Sequence, residues 1–368
     1  MRPPRGLWHT SHFMATTPPV TRNPFIVGSF VRGEDFFGRQ GLVSEILEGE
    51  RQSIWVLGAR RLGKTSLLRE LEHRVQRSRE TPFVALYWDL QGSGDARGLA
   101  ETLLSSVEDA EAFRRATDIG VEHLESLPIA EMISTLVRRT VRAGWRLLLL
   151  VDEAEELLVV GRSDATVLAR LRRVLSRGPD VRCVITATRL LARVDEEARM
   201  PTSPFLQGFI PPVYLTPLAP EAGRALLGRG GFAAAEVELI LQRTACHPFL
   251  LQLLASRLFE TRDVAATVDQ LTVDDMVANY FAVDFSTLEE TERALLCEVA
   301  REGPLVRRQL ATALGQPEDA LATTIYGLSM LGYLAKDGES LRLGNWFFEH
   351  WLRRRLATPG RNGELPAL

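Results

Sequence analysis

The chain has 368 residues, 45% of them hydrophobic and 25% charged, and a formal net charge of −3 at pH 7. This length exceeds what one hydrophobic core comfortably holds, so we expect two or three ordinary globular domains. The small net charge excludes a strong overall attraction to nucleic acid or to an anionic membrane, although a local basic patch is compatible with it.

Cysteine usage and the ends of the chain indicate the compartment. Cys183, Cys246 and Cys297 are odd in number, widely spaced and set among apolar residues, as reduced thiols of a cytosolic protein are. Residues 1–23 contain several prolines and lack an apolar signal core, so we predict a disordered tail there and another at 358–368. No apolar run is long enough to span a membrane. We therefore expect a cytoplasmic protein without membrane contact.

Between residues 24 and 217, short apolar runs alternate with segments of helical periodicity, which is typical of a parallel sheet wrapped by helices. Strands are predicted near 53–57, 83–89, 146–151, 182–187 and 211–215. Helices are predicted near 64–79, 98–116, 128–143 and 165–177. The predicted fold class is therefore α/β with a parallel five-stranded sheet.

A different pattern begins near residue 218, where the strands stop. Residues 218–283 are predicted to form a small helical lid domain, with helices near 219–228, 234–245, 247–260 and 271–282. Residues 284–357 form a third unit, with helices near 286–301, 307–314 and 318–332, a hairpin and a final helix. The hairpin is predicted from Asp337-Gly338, a strong tight-turn signal. Three helices followed by a hairpin are typical of a winged helix.

The most specific motif of the chain lies between the first predicted strand and the first predicted helix. Residues 58–66, Gly-Ala-Arg-Arg-Leu-Gly-Lys-Thr-Ser, fit the pattern G-x-x-x-x-G-K-[ST] of the phosphate-binding loop in P-loop NTPases. Only two of the 44 basic residues are lysine, and a compact ammonium at Lys64 fits between phosphate oxygens where a planar guanidinium does not. Loop N–H groups and the positive end of the helix would face bound phosphates. The alternative is a glycine-rich turn without a ligand.

Acidic residues follow the third predicted strand. In open parallel sheets this edge is where ligands bind, so Asp152 is a candidate to hold Mg²⁺, directly or through water, together with Thr65. Glu153 is placed to orient and polarise an attacking water. The alternative is that these acids, together with Glu155 and Glu156, form the solvated start of a helix, where the helix dipole favours carboxylates.

The fourth predicted strand ends in two threonines and an arginine. Thr186 or Thr188 could fix a water beside the terminal phosphate, and Arg189 could contact the γ-phosphate. The alternative is a strand end that carries one solvated arginine. Together with Lys64 and Glu153, the residues Thr188 and Arg189 form the predicted catalytic set.

In this order the motifs resemble those of STAND-type ATPases, the AAA-like signalling ATPases of bacteria and archaea, and more distantly those of NB-ARC and origin-recognition ATPases. The resemblance extends over residues 24–355 and is carried by the segments 37–39, 58–66, 151–153, 184–189 and 246–252. It implies ATP or ADP and Mg²⁺ as cofactors, an adenine-side element around Phe37 and Arg39, a lid proline at Pro248 near the adenine, and γ-phosphate sensing by Arg189. The implied nucleotide-binding residues are Gly58, Arg61, Gly63, Lys64, Thr65, Ser66, Phe37, Arg39 and Pro248, with Thr65 and Asp152 as metal ligands.

The predicted winged helix could contact either DNA or protein. The helix that would enter a DNA groove has Glu318 and Asp319 near its start and no Arg or Lys over residues 316–327. Phosphate contacts dominate affinity for DNA, so such a helix start is repelled by DNA. The basic run at 353–355 lies on a terminal helix, where it is usually a solvated face. These features favour a protein contact.

The sequence therefore predicts an ATP-dependent molecular switch that binds Mg·ATP and hydrolyses it slowly. Such a switch would act through a protein partner in signalling, defence or regulation, with an effector encoded separately, and a nucleotide-dependent homo-oligomer is compatible with it. Two alternatives stay open. One is a DNA-binding AAA+ ATPase, initiator-like or regulating transposition, and the other is a nucleotide-gated scaffold that does not hydrolyse ATP.

Overall fold

The computed structural model describes residues 22–176, 178–199 and 204–357. The predicted tail at 358–368, and the predicted N-terminal tail before residue 22, lie outside the described residues. Within the described ranges, no helix has the length and apolar composition that crossing a membrane requires.

The first unit, up to residue 217, combines a sheet with flanking helices. Its strands are β1 (Ser53–Leu57), β2 (Phe83–Asp89), β3 (Arg146–Asp152), β4 (Val181–Ala187) and β5 (Val213–Tyr214). Its α-helices are α1 (Gln40–Glu48), α2 (Lys64–Arg77), α3 (Ala96–Asp109), α4 (Glu111–Thr117), α5 (Ile129–Arg142), α6 (Glu156–Ser163), α7 (Ala165–Leu175) and α8 (Val194–Glu197). We call this unit the sheet domain.

The five strands form one parallel sheet in the order β2-β3-β4-β1-β5. Every residue of β1 and β4 is buried, as expected for a parallel sheet whose two faces are both covered. Continuous apolar runs supply these strands, so they could be recognised from the sequence without an alternating pattern. The predicted α/β fold with a parallel five-stranded sheet is confirmed.

The register of the strands brings their carboxyl ends together along one edge of the sheet. Leu57 of β1 lies beside Ala187 of β4, and Val151 of β3 lies beside Ile185 of β4. The loop after β1 and the acids that follow Val151 therefore emerge at the same edge, with the end of β4 between them. This is the edge at which open parallel sheets bind ligands.

Two further units complete the described chain. The helical unit consists of α9 (Pro220–Leu227), α10 (Ala234–Thr244), α11 (Pro248–Thr261), α12 (Val264–Thr272) and α13 (Asp275–Ser286). The C-terminal unit consists of α14 (Glu290–Glu302), β6 (Leu305–Val306), α15 (Arg307–Leu314), α16 (Glu318–Met330), β7 (Leu334–Asp337), β8 (Ser340–Leu343) and α17 (Trp346–Ala357). Its strands pair antiparallel in the order β6-β8-β7, so a short strand joins the predicted hairpin. This order of elements is typical of a winged helix.

Aromatic side chains join the helical unit to the C-terminal unit. Phe281 of α13 packs on Phe348 of α17, and Phe285 packs on Trp351, with ring centroids 5.4 and 5.7 Å apart. Only the short segment 287–289 separates α13 from α14. The boundary predicted after residue 283 therefore falls inside α13, and this helix packs with the C-terminal unit as well as with its own.

The C-terminal unit also packs on the sheet domain. Tyr326 of α16 meets Tyr214 of β5 edge to face, with ring centroids 5.8 Å apart. Gly332, just after α16, lies so near Pro217 that a Cβ atom would approach the proline side chain to 2.8 Å. Part of the α16 surface is thus turned toward the sheet domain.

Some helices differ from the predicted ones. The helix predicted at 98–116 is divided at Ala110 into α3 and α4, and the separate helix α12 precedes the one predicted at 271–282. Sequence reasoning did not predict α1, whose last carbonyls are capped from a distant position. The buried Arg182 guanidinium donates to the carbonyl oxygens of Ile46 at 2.6 Å and Leu47 at 2.9 Å. Such a cap cannot be predicted from the sequence near α1.

Candidate nucleotide-binding site

The loop between β1 and α2 leads into the amino end of a helix. Gly63, the residue before α2, has φ 93°, a conformation that favours glycine, and α2 begins at Lys64. Gly58 lies so close to Leu215 that a Cβ atom would approach the leucine Cβ to 3.1 Å. Loop geometry therefore requires both glycines, and the N–H groups at this helix start form a site for anions.

Lys64 is the cation of this loop. It is only 6% exposed, and its Nζ donates to the carbonyl oxygens of Gly58 and Ala59, each at 3.3 Å. Hydrogen bonds of this length are weak. They keep the ammonium inside the loop while leaving it free to exchange them for stronger bonds to phosphate oxygens.

A cavity of about 470 Å³ opens beside the loop. Its walls come from the phosphate loop, the residue after β3, the start of α11 and the chain ahead of α1. The lining residues are Ile26, Gly28, Ser29, Phe30, Val31, Arg60, Arg61, Gly63, Lys64, Thr65, Ser66, Glu153, Pro248, Phe249 and Gln252. A cavity of about 670 Å³ at the carboxyl end of α2 is larger but contains none of the loop residues, so chemistry and not volume distinguishes the first one.

Residues of the segment 26–31 form one wall of the cavity, and none of them is among the predicted site residues. The N–H of Ile26 donates to Gln252 Oε1 of α11, and the N–H of Val31 donates to Ser66 Oγ of α2, each at 3.1 Å. Phe30 remains 40% exposed in this wall. The wall therefore ties the helical unit to the phosphate loop and offers an aromatic face on which a base can stack.

Phe37 and Arg39, predicted on the adenine side, are not lining residues of this cavity. Arg39 donates from Nη2 to the carbonyl oxygens of Leu62 at 2.9 Å and Thr216 at 2.8 Å, and burial lowers its pKa to about 10. The Phe37 ring lies 5.8 Å from the Arg229 guanidinium. Arg39 thus supports the phosphate loop through its backbone, and residues of the segment 26–31, rather than Phe37 and Arg39, line the cavity.

Asp152 ends β3 and is 1% exposed. Its Oδ2 accepts from the Tyr87 hydroxyl at 3.0 Å, and its Oδ1 accepts from the Glu153 N–H at 3.1 Å and from the Thr186 hydroxyl. These three hydrogen bonds fix the position of the carboxylate, so it is suited to hold Mg²⁺ through a bridging water molecule. Thr65 lines the cavity. The metal ligands that Thr65 and Asp152 can offer are oxygen atoms, which Mg²⁺ prefers.

Glu153 lines the cavity and has a φ of 50°, a strained conformation for a residue with a side chain. Burial raises the pKa of its carboxyl to about 7, and the charges of Glu155 and Asp152 add to this rise, while Lys64 and Arg60 oppose it. A carboxyl with this pKa is a suitable proton acceptor near neutral pH.

The end of β4 carries the other residues of the predicted catalytic set. Thr188 is 5% exposed, and its N–H donates to Glu155 Oε1 at 3.3 Å. Among the described residues, neither the Thr188 hydroxyl nor Glu155 Oε2 finds a hydrogen-bond partner. Arg189 forms an ion pair with the buried Glu292 of α14. Of the four residues in the predicted catalytic set, Lys64 and Glu153 line the cavity, whereas Thr188 and Arg189 do not.

A buried network that sequence reasoning missed connects the loop with both following units. Asp284 of α13 is 3% exposed, its Oδ1 accepts from the Arg60 N–H at 3.3 Å, and its Oδ2 accepts from the Tyr333 hydroxyl of the C-terminal unit. One turn earlier, the Tyr280 hydroxyl donates to the Arg60 carbonyl oxygen at 3.4 Å and lies 3.0 Å from His247 Nε2. Helix α13 therefore holds the peptide groups on both sides of Arg60.

Burial dominates the ionisation of this network. It raises the pKa of the Asp284 carboxyl and lowers the pKa of His247 to about 3, so the imidazole is neutral at physiological pH. The signal in the sequence was an acid inside the apolar run 281–285, because carboxylates are seldom buried without a partner.

A known family model matches the part of the chain that contains the phosphate loop and strands β1 to β4. The family model of an AAA domain matches residues 47–194, so this part of the chain is an AAA-type P-loop domain. No curated protein sequence matches the chain. The Walker-type ATPase PABY2304 of Pyrococcus abyssi has the same fold, with a TM-score of 0.67 and 18% identity over 88% of this chain and 98% of that one. The ORC2 protein of Aeropyrum pernix matches with a TM-score of 0.48 and 14% identity over 89% of this chain and 97% of that one.

Proposed function

We propose that the AAA-type domain binds Mg·ATP at the loop 58–66, hydrolyses it slowly, and thereby sets the position of the C-terminal unit. The observation that carries this proposal is the network at Arg60, which joins a peptide of the phosphate loop, Asp284 of α13 and Tyr333 of the C-terminal unit. A ligand that changes the loop must also change the free energy of this contact, because the same hydrogen bonds serve both.

The binding of the phosphates is assigned to three groups of the chain. Loop N–H groups and the amino end of α2 provide partial positive charge, and Lys64 provides the full charge that neutralises the β- and γ-phosphates. Thr65 and Asp152 would hold Mg²⁺, which supplies further neutralisation of the phosphate oxygens. Phe30 and Pro248 offer apolar contact to the adenine.

Glu153 is the residue that we assign to activation of the attacking water. Its carboxylate would accept a proton as the water oxygen bonds to the γ-phosphorus and the bond to the β-phosphate oxygen breaks, which releases ADP and phosphate. Thr188 would orient the water with its buried hydroxyl. We expect slow turnover because Arg189, the cation assigned to the γ-phosphate, must first leave its ion pair with Glu292.

The charge and packing of α16 support a protein partner. In a winged helix this helix would enter a DNA groove, yet it begins with Glu318 and Asp319, which repel phosphates. Tyr326 of the same helix packs against Tyr214 of the sheet domain. These features suit a STAND-type switch in signalling, defence or regulation whose partner and effector are separate proteins.

A DNA-acting AAA+ ATPase is the second candidate. The order of sheet domain, helical unit and C-terminal helix–hairpin unit suits it equally well. Its basic groups would be Lys336 and Arg342 of the hairpin and the arginines at 353–355. For α16 to reach DNA, Tyr326 would first have to leave Tyr214.

Nucleotide binding and single-turnover ATP hydrolysis by three proteins test the proposal: the wild type, Lys64→Ala and Lys336→Ala. Lys336 is the second lysine of the chain and is exposed on β7, so it is a matched control. We expect Lys64→Ala to lose ATP affinity by at least about 100-fold, since charged hydrogen bonds are worth about 1.5–3 kcal/mol each. Lys336→Ala should match the wild type. Equal ATP affinity in all three proteins would refute the proposal.

A titration with duplex DNA at two salt concentrations separates the second candidate. We expect binding by the wild type to be weak, independent of sequence and strongly reduced by salt, as for contacts to phosphate alone. Tight binding of one DNA sequence in preference to others would instead favour the DNA-acting ATPase.

A further inference from the structure

Arg189 belongs to the sheet domain, but the C-terminal unit neutralises its charge. The guanidinium forms an ion pair with the Glu292 carboxylate in the first turn of α14. It also lies against Gly327 of α16, where a Cβ atom would be 3.8 Å from Nη1. Two helices of the C-terminal unit therefore contact one side chain at the end of β4.

The Glu292 carboxylate is fully engaged in this position. It is 2% exposed, one oxygen is paired with Arg189, and the other accepts from the Glu289 N–H at 2.9 Å, which caps α14. A buried carboxylate that lost its cation would be an uncompensated charge in the interior, which is strongly unfavourable. Separation of Arg189 from Glu292 would therefore disfavour the buried position of this carboxylate and of α14, which carries it.

Arg189 is also close to the phosphate loop. The Ala187 carbonyl oxygen, two residues earlier, accepts from the N–H of Gly58, the first residue of the loop, at 3.1 Å. Burial raises the pKa of the Tyr333 hydroxyl well above its ordinary value, and the Arg189 charge works against this rise. The backbone at the end of β4 thus places Arg189 between Glu292 and the edge of the sheet at which the phosphate loop lies.

We propose that Glu292 and the γ-phosphate of bound ATP compete for the Arg189 guanidinium, which makes the Arg189–Glu292 ion pair a latch that ATP opens and ADP leaves closed. This latch rests on the proposed function, because it requires a γ-phosphate at the loop. ADP lacks that phosphate and offers Arg189 no second anion. Once Arg189 turns to the γ-phosphate, Glu292 gains by moving into water, and α14 carries the C-terminal unit with it.

This competition gives ATP and ADP different effects on the equilibrium between the closed and the open state. A ligand shifts an equilibrium only by the difference between its affinities for the two states. ATP binds the open state better because Arg189 is then available, whereas ADP binds both states equally. Glu292 therefore lowers the overall preference of the protein for ATP by stabilising the closed state, although it does not touch the nucleotide itself.

Two substitutions should release the C-terminal unit equally but change nucleotide preference in opposite directions. Glu292→Gln removes the competing charge and keeps an acceptor for the Glu289 N–H, so we expect the preference for ATP over ADP to rise by at least about fivefold. Arg189→Gln removes the group that meets the γ-phosphate, so the preference should fall by at least about fivefold. The matched control is Glu290→Gln, an exposed acid in the same turn.

The measurements are the affinities for ADP and for a non-hydrolysable ATP analogue, and the rate of proteolytic cleavage at 287–289 with each nucleotide. The wild type and Glu290→Gln should be cleaved faster with the analogue than with ADP. Both latch variants should be cleaved fast with either nucleotide.

If the preference of Glu292→Gln for ATP over ADP falls or is unchanged, the latch is overturned. A purely structural ion pair would change this preference in the same direction whichever of its two residues is replaced. If Glu292→Gln does not fold, Arg189→Gln decides, and slow cleavage of that variant with ADP would overturn the latch. If the wild type binds both nucleotides but the variants do not behave as expected, the latch is refuted and the proposed function is not. A wild type that binds neither nucleotide refutes the proposed function as well.

Discussion

Nearly all basic residues of the chain are arginines, yet the cation buried in the phosphate loop is a lysine. Lys64 is enclosed by the loop carbonyls of Gly58 and Ala59, which leaves room for a compact ammonium. A guanidinium is planar and presents its donors in a fixed fork, so it cannot take the same place. At the scale of single residues, the shape of a charge thus matters as much as its sign.

We therefore expect Lys64→Arg to bind ATP far more weakly than the wild type, with a loss of at least about tenfold, even though the charge is retained. Lys336→Arg makes the same change on the exposed hairpin and should leave the affinity unchanged. Isothermal titration with ATP measures both. Near-native affinity in Lys64→Arg would show that charge alone is sufficient in this loop.

Glu153→Gln should retain ATP binding and slow single-turnover hydrolysis by at least about 100-fold, the usual contribution of a residue that activates water. The amide cannot accept a proton but has almost the same size, so the cavity should be preserved. Glu156→Gln, at the start of α6 and outside the cavity lining, is the control. Unchanged turnover in Glu153→Gln would assign the base to another acid, with Glu155 the nearest.

Residues of the site could be predicted from sequence where the motif is local. The spacing within residues 58–66 and the position of Glu153 after a buried strand are sufficient to propose them. The hydrogen bond between Arg60 and Asp284 joins residues 224 positions apart, and no pattern near either residue announces it. Phe37 was assigned by resemblance, and the order of motifs cannot tell which part of an N-terminal segment faces a cavity.

At the scale of elements, α13 connects all three units of the described chain. Tyr280 and Asp284, four residues apart, share a face that meets Arg60 of the phosphate loop. Phe281 and Phe285 share the neighbouring face, which packs on α17. A shift of the loop therefore changes the contacts of a helix that the C-terminal unit also holds.

Tyr333→Phe tests this connection by removing one hydroxyl. The ring can keep its contact with Phe348, at 5.7 Å between centroids, while Asp284 loses a donor. We expect a loss of about 1–3 kcal/mol in the free energy of unfolding, because a buried acceptor is left unsatisfied. ATP affinity should change by less than about threefold, while the difference in cleavage at 287–289 between ADP and the ATP analogue should shrink.

Tyr326→Phe, which removes the hydroxyl of an exposed tyrosine on α16, should affect neither the unfolding free energy nor the cleavage. Chemical denaturation and limited proteolysis provide the measurements. A Tyr333→Phe protein with wild-type stability and a full nucleotide response would show that α13 does not transmit the state of the loop to the C-terminal unit.

Elements could be predicted best where burial alone decides the pattern. The buried strands β1 to β4 come from continuous apolar runs, and their predicted positions are confirmed to within a residue. Helix ends were harder, because caps such as the one that Arg182 provides for α1 come from distant parts of the chain. The boundary predicted after residue 283 lies next to Asp284, whose hydrogen bond to the distant Arg60 is not indicated by any local pattern.

At the scale of the whole molecule, two separate contacts lead from the phosphate loop edge to the C-terminal unit. One runs from Arg60 through Asp284 to Tyr333, and the other is the ion pair of Arg189 and Glu292. Both contacts end in buried groups that would lose partners if the unit moved. In the proposed switch this conformation would be the closed one, and opening would require a ligand that weakens both contacts together.

Hydrogen exchange of the wild type with ADP and with a non-hydrolysable ATP analogue, each at saturation, tests the central claim most directly. We predict that amides of α14 and of the α16 surface near Tyr326 exchange at least about fivefold faster with the analogue, because these helices leave the sheet domain. Lys64→Ala should show the slow exchange under both conditions. Identical exchange of these helices in the two nucleotides, with both nucleotides bound, would contradict a switch that moves the C-terminal unit.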